Sequence, residues 1–202
     1  MQTTLVIFAR AAVSGAVKTR LAAEIGNARA LSVYRALAER TVKAARGAAD
    51  RVVICFTPLE AAPDMRQWLG GDLEYAAQVE GDLGHRMHAA IERETERGAE
   101  AVVIIGTDCP DVTPDVINRA FAALADASVV IGPANDGGYY LIGMRSAYAD
   151  LFVDVPWSSA NTLAVTLQRA SAAGLSVTQL ETLRDIDVAD DLYAFGEERL
   201  TA

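Results

Sequence analysis

Hydrophobic positions along this chain fall into two rhythms: short unbroken β-branched runs, and longer stretches where apolar residues return every three or four positions. The first run, residues 3–9, carries Leu5-Val6-Ile7-Phe8 without a polar break and predicts a buried strand. Residues 51–56, 101–106 and 128–132 repeat that character. Runs apolar on both faces are the habit of parallel strands covered on both sides.

Helical periods lie between them. Leu83, Met87, Ala90 and Ile91 share one helical face, with Asp82 placed as the cap. Thr113-Pro114 joins an N-cap to a proline at the first helical position and opens a stripe of Val116, Ile117, Ala120, Phe121 and Leu124. Residues 19–46 predict a long helix broken or bent at Gly26-Asn27. Residues 161–173 predict another, stopped by Gly174. The last segment reads as a strand over 175–183, then Arg184-Asp185-Ile186-Asp187, then a helix over 190–199 with Asp190 as its N-cap. This alternation predicts an α/β fold with a mainly parallel sheet. Ligands of such sheets sit outside the carboxyl ends of the strands, so chemistry is expected in the loops that follow them.

Composition narrows the classes. The chain has 202 residues, enough for one well-buried domain and too few for two ordinary ones. Its 18 basic against 27 acidic residues give a net charge of −9, which disfavours a general nucleic-acid binder. An anionic partner would need a local basic pocket. No apolar run approaches the roughly 20 residues of a membrane span, and no basic segment precedes the first apolar stretch, so a cytoplasmic protein is expected. Cys55 and Cys109 form no C-x-x-C and are read as two buried thiols.

Four loops carry candidate chemistry. The first runs from Phe8 to Leu21 and places Arg10, Lys18 and Arg20 beside Gly15, between a strand and a helix. Amide groups at a helix start and a lysine point charge together suit a phosphate. At about 4 Å and an effective dielectric near 20, each cation–phosphate contact is worth ~4 kcal/mol before desolvation. Val17 stands where a Walker A loop needs glycine. In the second, Gly106-Thr107-Asp108-Cys109-Pro110, a carboxylate follows a buried strand by two residues. Thr113 already serves as the helix cap, leaving Asp108 as a candidate Mg²⁺ ligand. The third, Gly132 to Gly143, contains Asp136-Gly137-Gly138, a hairpin-turn sequence that also allows close backbone approach; Asp136 is left open between a metal and a hydroxyl. In the fourth, Asp185 and Asp187 share one face of an extended segment and repel each other unless a cation or full exposure intervenes. His85 and His88 read as surface residues because no third ligand is apparent. Trp157 reads as a packed side chain, with a pocket wall as the alternative.

In order, FAR-x4-G-x-VKTRL, Q-x2-GDLG-x-RM, G-x-DCP, GP-x2-DGGYYLIG, PW and DID-x3-DL resemble the bacterial glycosyltransferase-A-type family known as domain of unknown function 2064. The resemblance spans essentially the whole chain. It implies a single domain over 1–202: a three-layer αβα sandwich with a mostly parallel, mixed sheet, the nucleotide-diphospho-sugar transferase fold. Molybdopterin and 2-phospholactate guanylyltransferases share that superfamily. By resemblance, Ala9, Arg10, Gly15, Lys18 and Arg20 hold the phosphates, and Gln78, Gly81, Asp82, Gly84 and Arg86 contact the nucleotide. Asp136, Gly137, Gly138, Tyr139 and Trp157 face the acceptor. Asp108 and Asp187, with Asp136 as the alternative, hold Mg²⁺ or Mn²⁺, while Lys18, Arg10 and Asp108 carry catalysis. Relatives often have prolines where Ala12 and Ser14 stand here.

The implied activity is nucleotidyl transfer from an NTP to a small phosphorylated acceptor with release of pyrophosphate. Glycosyl transfer from a nucleotide-sugar is the second reading, and nucleotide binding without turnover the third. The expected partners are the nucleotide and a small acceptor, with no nucleic acid and no membrane; a homodimer is left open.

Overall fold

The computed structural model describes residues 1–200. In chain order the elements are β1 (Thr3–Arg10), α1 (Thr19–Ile25), α2 (Asn27–Ala45), β2 (Arg51–Thr57), α3 (Ala62–Leu69), β3 (Glu74–Ala77), α4 (Leu83–Glu96), β4 (Ala101–Ile105), α5 (Pro114–Ala123), β5 (Val129–Pro133), β6 (Tyr139–Met144), α6 (Thr162–Ala172), β7 (Val177–Gln179) and α7 (Ala189–Phe195). Among the described residues, seven strands form one sheet in the order β3-β2-β1-β4-β6-β5-β7. Only β6 runs against the others.

Side-chain alternation along each strand builds two cores. Leu5, Ile7, Ile54, Val103 and Ile105 point to the face covered by α2, α3 and α5. Val6, Cys55, Val102 and Ile104 point to the face covered by α4 and α6. A third cluster joins Leu21 and Leu37 to Ile186 and Leu192, fastening α7 onto α1 and α2. Covering both faces is what the continuous apolar runs require. Both cysteines are buried and free. Among the described residues no helix is long and apolar enough to cross a membrane.

Local signals explain most boundaries. Asp82 caps α4 by accepting from the His85 amide at 2.8 Å, and Thr113 caps α5 by accepting from the Val116 amide at 3.3 Å. Gly26, at φ 85°, separates α1 from α2. The Asp-Gly-Gly sequence does close a hairpin: β5 pairs antiparallel with β6, and Asp136 Oδ1 accepts from the Gly138 amide at 2.8 Å.

Three expectations need correction. The predicted strand over 175–183 pairs with β5 only at Val177–Gln179, with one further bridge from Leu183 to Ala134. The helix predicted over 190–199 starts at Ala189 and ends at Phe195, because Gly196 at φ 88° breaks it before a 3-10 turn over Glu197–Leu200. Asp190 is not its cap. The Asp191 carboxylate instead accepts from the amides of Asp187 and Val188, each at 3.1 Å.

Candidate functional site

The sheet order reverses between β1 and β4, since the chain moves from β1 out to β3 and returns to β4 on the other side of β1. Loops leaving two such strands diverge, and the crevice between them is where ligands of open α/β sheets bind. A cavity of about 660 Å³ occupies that position, within the usual range for small-molecule sites.

Each wall is fixed by a few interactions. The Tyr34 hydroxyl on α2 accepts from the Arg10 amide at 2.8 Å and donates to the Arg10 carbonyl at 2.7 Å, pinning the end of β1. The loop beyond folds inward at buried Val17, then passes through Lys18 in the left-handed region at φ 48°, ψ 45°, a conformation non-glycine residues seldom adopt. Across the crevice, the amide of Ile186 donates to the carbonyl of Asp108 at 2.9 Å and clamps the last segment against the loop after β4. Ile186 is buried in the cluster with Leu21 and Leu192. Its neighbours Asp185 and Asp187 therefore turn the other way, and both line the cavity.

The charges meet at one point. Lys18 Nζ lies 2.6 Å from Asp108 Oδ1 and 3.1 Å from Asp187 Oδ1, with its side chain only 5% exposed. Burial alone would lower the lysine pKa, but the Asp108 and Asp187 carboxylates outweigh it and hold the pKa above its ordinary value. Arg20, on the open side, reaches Asp187 Oδ2 at 3.5 Å. Asp185 behaves differently. Burial foremost, reinforced by Asp108, Asp136 and Asp187 against the pull of Lys18, pushes its carboxyl up to about 7. Its buried Oδ1 has no hydrogen-bond partner. The Cys109 thiol beside it is pushed up to about 12, chiefly by burial, and is inert as a nucleophile.

Among the described residues no three His, Cys, Asp or Glu side chains form a ready-made metal cage. The donor set nevertheless fits a hard divalent ion. Three carboxylates line one cavity, one with a buried oxygen lacking a partner, and a cation, the Lys18 ammonium, already lies between two of them. Mg²⁺ commonly uses one or two carboxylates and completes its shell with water and phosphate oxygens.

Of the residues singled out from sequence, Ala9, Arg10, Lys18, Arg20, Gln78, Arg86, Asp108, Tyr139 and Asp187 line the cavity. Gly15, Gly81, Asp82, Gly84, Asp136, Gly137, Gly138 and Trp157 are not among its lining residues. Their nearest partners explain why. Gly84 lies against the indole of Trp157, packed where a Cβ would stand. Trp157 itself stacks on Phe152. Gly137, at φ 88°, admits the backbone of Ala160. Asp136 is engaged by its own turn. Asp82 caps α4, and the Gly81 carbonyl accepts from Arg86 Nε at 2.9 Å, so these two shape the wall from behind. Arg10 Nη1 donates to the Ala16 carbonyl at 3.2 Å, folding it back on its own loop. His85 and His88 take no part: His85 Nδ1 lies 2.7 Å from the Glu80 carbonyl and His88 packs edge-on to Phe152.

The structure adds Tyr34, Thr107 and Ser158 to the cavity walls and brings Asp185 in beside Asp187. Asp185 had a signal, the shared face with Asp187. Tyr34 had none, since on α2 it falls in the same apolar stripe as Val33 and Leu37.

Comparison with known proteins follows the same lines. A family model described as "Uncharacterized protein conserved in bacteria (DUF2064)" matches residues 40–159. No curated protein matches the sequence. A protein of Desulfovibrio desulfuricans G20, provisionally named a nucleotide-diphospho-sugar transferase, is 32% identical, with a TM-score of 0.92 over 96% of this chain and 87% of that one. A nucleotidyl transferase from Methanothermobacter shares 20% identity at a TM-score of 0.64, covering 99% of this chain and 98% of that one. Rv0371C of Mycobacterium tuberculosis H37Rv, solved as a manganese complex, shares 19% identity at 0.59, covering 98% and 99%.

Proposed function

We propose, from the premise that this chain belongs to the DUF2064 family of uncharacterized bacterial proteins, that it is a divalent-metal-dependent nucleotidyltransferase. Its fold is that of the nucleotide-diphospho-sugar transferases. The reaction joins an oxygen of a small phosphorylated acceptor to the α-phosphorus of an NTP and breaks the bond to the β-phosphate, releasing pyrophosphate.

One observation carries this reading: Lys18 contacts Asp108 and Asp187 inside a single cavity that Arg10 and Arg20 also line. Polyphosphate chemistry asks for that mixture, cations for the phosphate oxygens and carboxylates for a metal ion. A bound Mg²⁺ or Mn²⁺ would supply charge neutralisation at the phosphates. Asp108 and Asp187, with Asp185 behind them, would hold it. Lys18, Arg10 and Arg20 would take up charge developing on the departing pyrophosphate, which is positioning and electrostatics rather than covalent catalysis. Gln78, whose amide is anchored to the Cys55 carbonyl at 2.9 Å, and Arg86 would face the nucleoside. Tyr139 would line the acceptor side.

The name of the 32% identical relative favours a second reading, glycosyl transfer from a nucleotide-sugar. Calorimetric titration with a panel of NTPs and nucleotide-sugars, with and without Mg²⁺, followed by a pyrophosphate-release assay with pooled phosphorylated metabolites, separates the two. Mg²⁺-dependent NTP binding with pyrophosphate release is the expected result. Preference for nucleotide-sugars transfers support to the second reading, and binding without turnover under any acceptor removes both.

A further inference from the structure

The ammonium of Lys18 holds oxygens of the carboxylates that would hold the proposed metal. It is almost wholly buried and lies within contact distance of Asp108 and Asp187, the two carboxylates assigned to the ion. It reaches them from a left-handed backbone. The ammonium takes up Oδ1 of each carboxylate, and a divalent ion brought to the same pair would be opposed by its charge.

We infer that Lys18 is a resident counter-ion that occludes the metal site of the nucleotide-free protein, so that metal binds only as the lysine is drawn off its carboxylates. This rests on the proposed metal-dependent reading of the site. Anionic phosphates would draw the ammonium away and leave two carboxylates free, making metal and nucleotide mutually dependent ligands. Such coupling is reciprocal: nucleotide tightens metal by the same factor as metal tightens nucleotide. The lysine also offsets part of the repulsion among the aspartates that line the cavity. Arg20 cannot substitute for it, being 71% exposed and touching only Asp187.

The test needs no nucleotide. Mn²⁺ affinity of the metal-free protein is measured by electron paramagnetic resonance for wild type and Lys18→Met. If the open form is a minor population, apparent affinity falls in proportion to it, so the variant is expected to bind Mn²⁺ about tenfold to a hundredfold more tightly. Equal or weaker binding overturns the inference. A measurement on the wild type covers the case in which Lys18→Met does not fold. The chain has two lysines, Lys18 and Lys43, so ¹³C,¹⁵N-lysine labelling gives one reporter and one internal reference. Titration with Mg²⁺ should shift the Lys18 side-chain signals in step with metal occupancy while Lys43 stays fixed. Metal saturation with Lys18 unmoved overturns the inference. A protein that binds no nucleotide at all would sink the nucleotidyltransferase reading, whereas these two measurements decide the occlusion independently.

Discussion

Replacing Asp185 with asparagine should stabilise the metal-free protein while disabling it. The carboxyl is buried, has an oxygen without a partner, and titrates at about 7 rather than near 3.8. A folded-state pKa raised above the unfolded one contributes stability that is complete below about pH 3.8 and is lost as pH rises through 7. Above that point the folded chain carries a buried, unmatched charge. Raised from 3.8 to about 7, the carboxyl costs ~4 kcal/mol once ionised, at about 1.4 kcal/mol for each tenfold change in proton affinity. At pH 5 the folded group is still mostly protonated, and the cost is under about 2 kcal/mol by the same arithmetic. Urea unfolding of wild type and Asp185→Asn in EDTA should therefore show a gain that grows from pH 5 to pH 8. Mg²⁺ should narrow the gap by stabilising the wild type more than the variant, which keeps Asp108 and Asp187 but lacks the third carboxylate, as linkage to a folded-state ligand requires. A gain that is flat with pH, or a loss of stability in the variant at pH 8, would refute the reasoning.

Other consequences follow from single contacts. Gly84→Ala places a methyl group where the Trp157 indole lies, and should cost about 1–3 kcal/mol in thermal or urea unfolding; unchanged stability would remove the packing role. Tyr34→Phe deletes both hydrogen bonds to the Arg10 backbone. It should cost about 1–3 kcal/mol and weaken nucleotide binding, read by denaturation and calorimetry; intact nucleotide affinity would separate Tyr34 from the site. Glu74 is held down at about 2, first by its hydrogen bond to Arg51, with Arg97 adding to it and burial opposing. Its contribution is present above pH 4.5 and lost as pH falls towards 2, so Glu74→Gln should flatten that part of an acid-unfolding curve followed by circular dichroism.

The sequence pattern located the sheet because strands buried on both faces leave unbroken apolar runs, as in 3–9 and 101–106. It missed α3 and β3, and it read β6 only as part of the loop from Gly132 to Gly143. The edge strand β3, Glu-Tyr-Ala-Ala, has no fully buried position and hence no such run. The helix over 190–199 failed at Gly196, where the competing signal was a single glycine inside a polar periodicity. At the site, Arg10, Lys18, Arg20, Asp108 and Asp187 came to line one cavity while Asp136 stayed in its turn, because the loops after β1 and β4 and the clamped extended segment meet there. The glycines did not. A glycine reports only that something comes close, and the sequence cannot say whether that is a ligand or, as at Gly84 and Gly137, another part of the same chain. The direct Lys18–Asp108 contact was equally illegible: it joins residues on different strands' loops, and only the β1–β4 pairing brings them together.

The central claim is that the amino-terminal cations and the later aspartates serve one metal–polyphosphate complex. Calorimetric titration of NTP into wild type and Asp108→Ala, each with Mg²⁺ and with EDTA, addresses it directly. Wild type should bind NTP tightly only with Mg²⁺, and the variant, still folded by circular dichroism, should lose that difference. Magnesium-indifferent binding by the wild type, or an undiminished magnesium effect in Asp108→Ala, would contradict it.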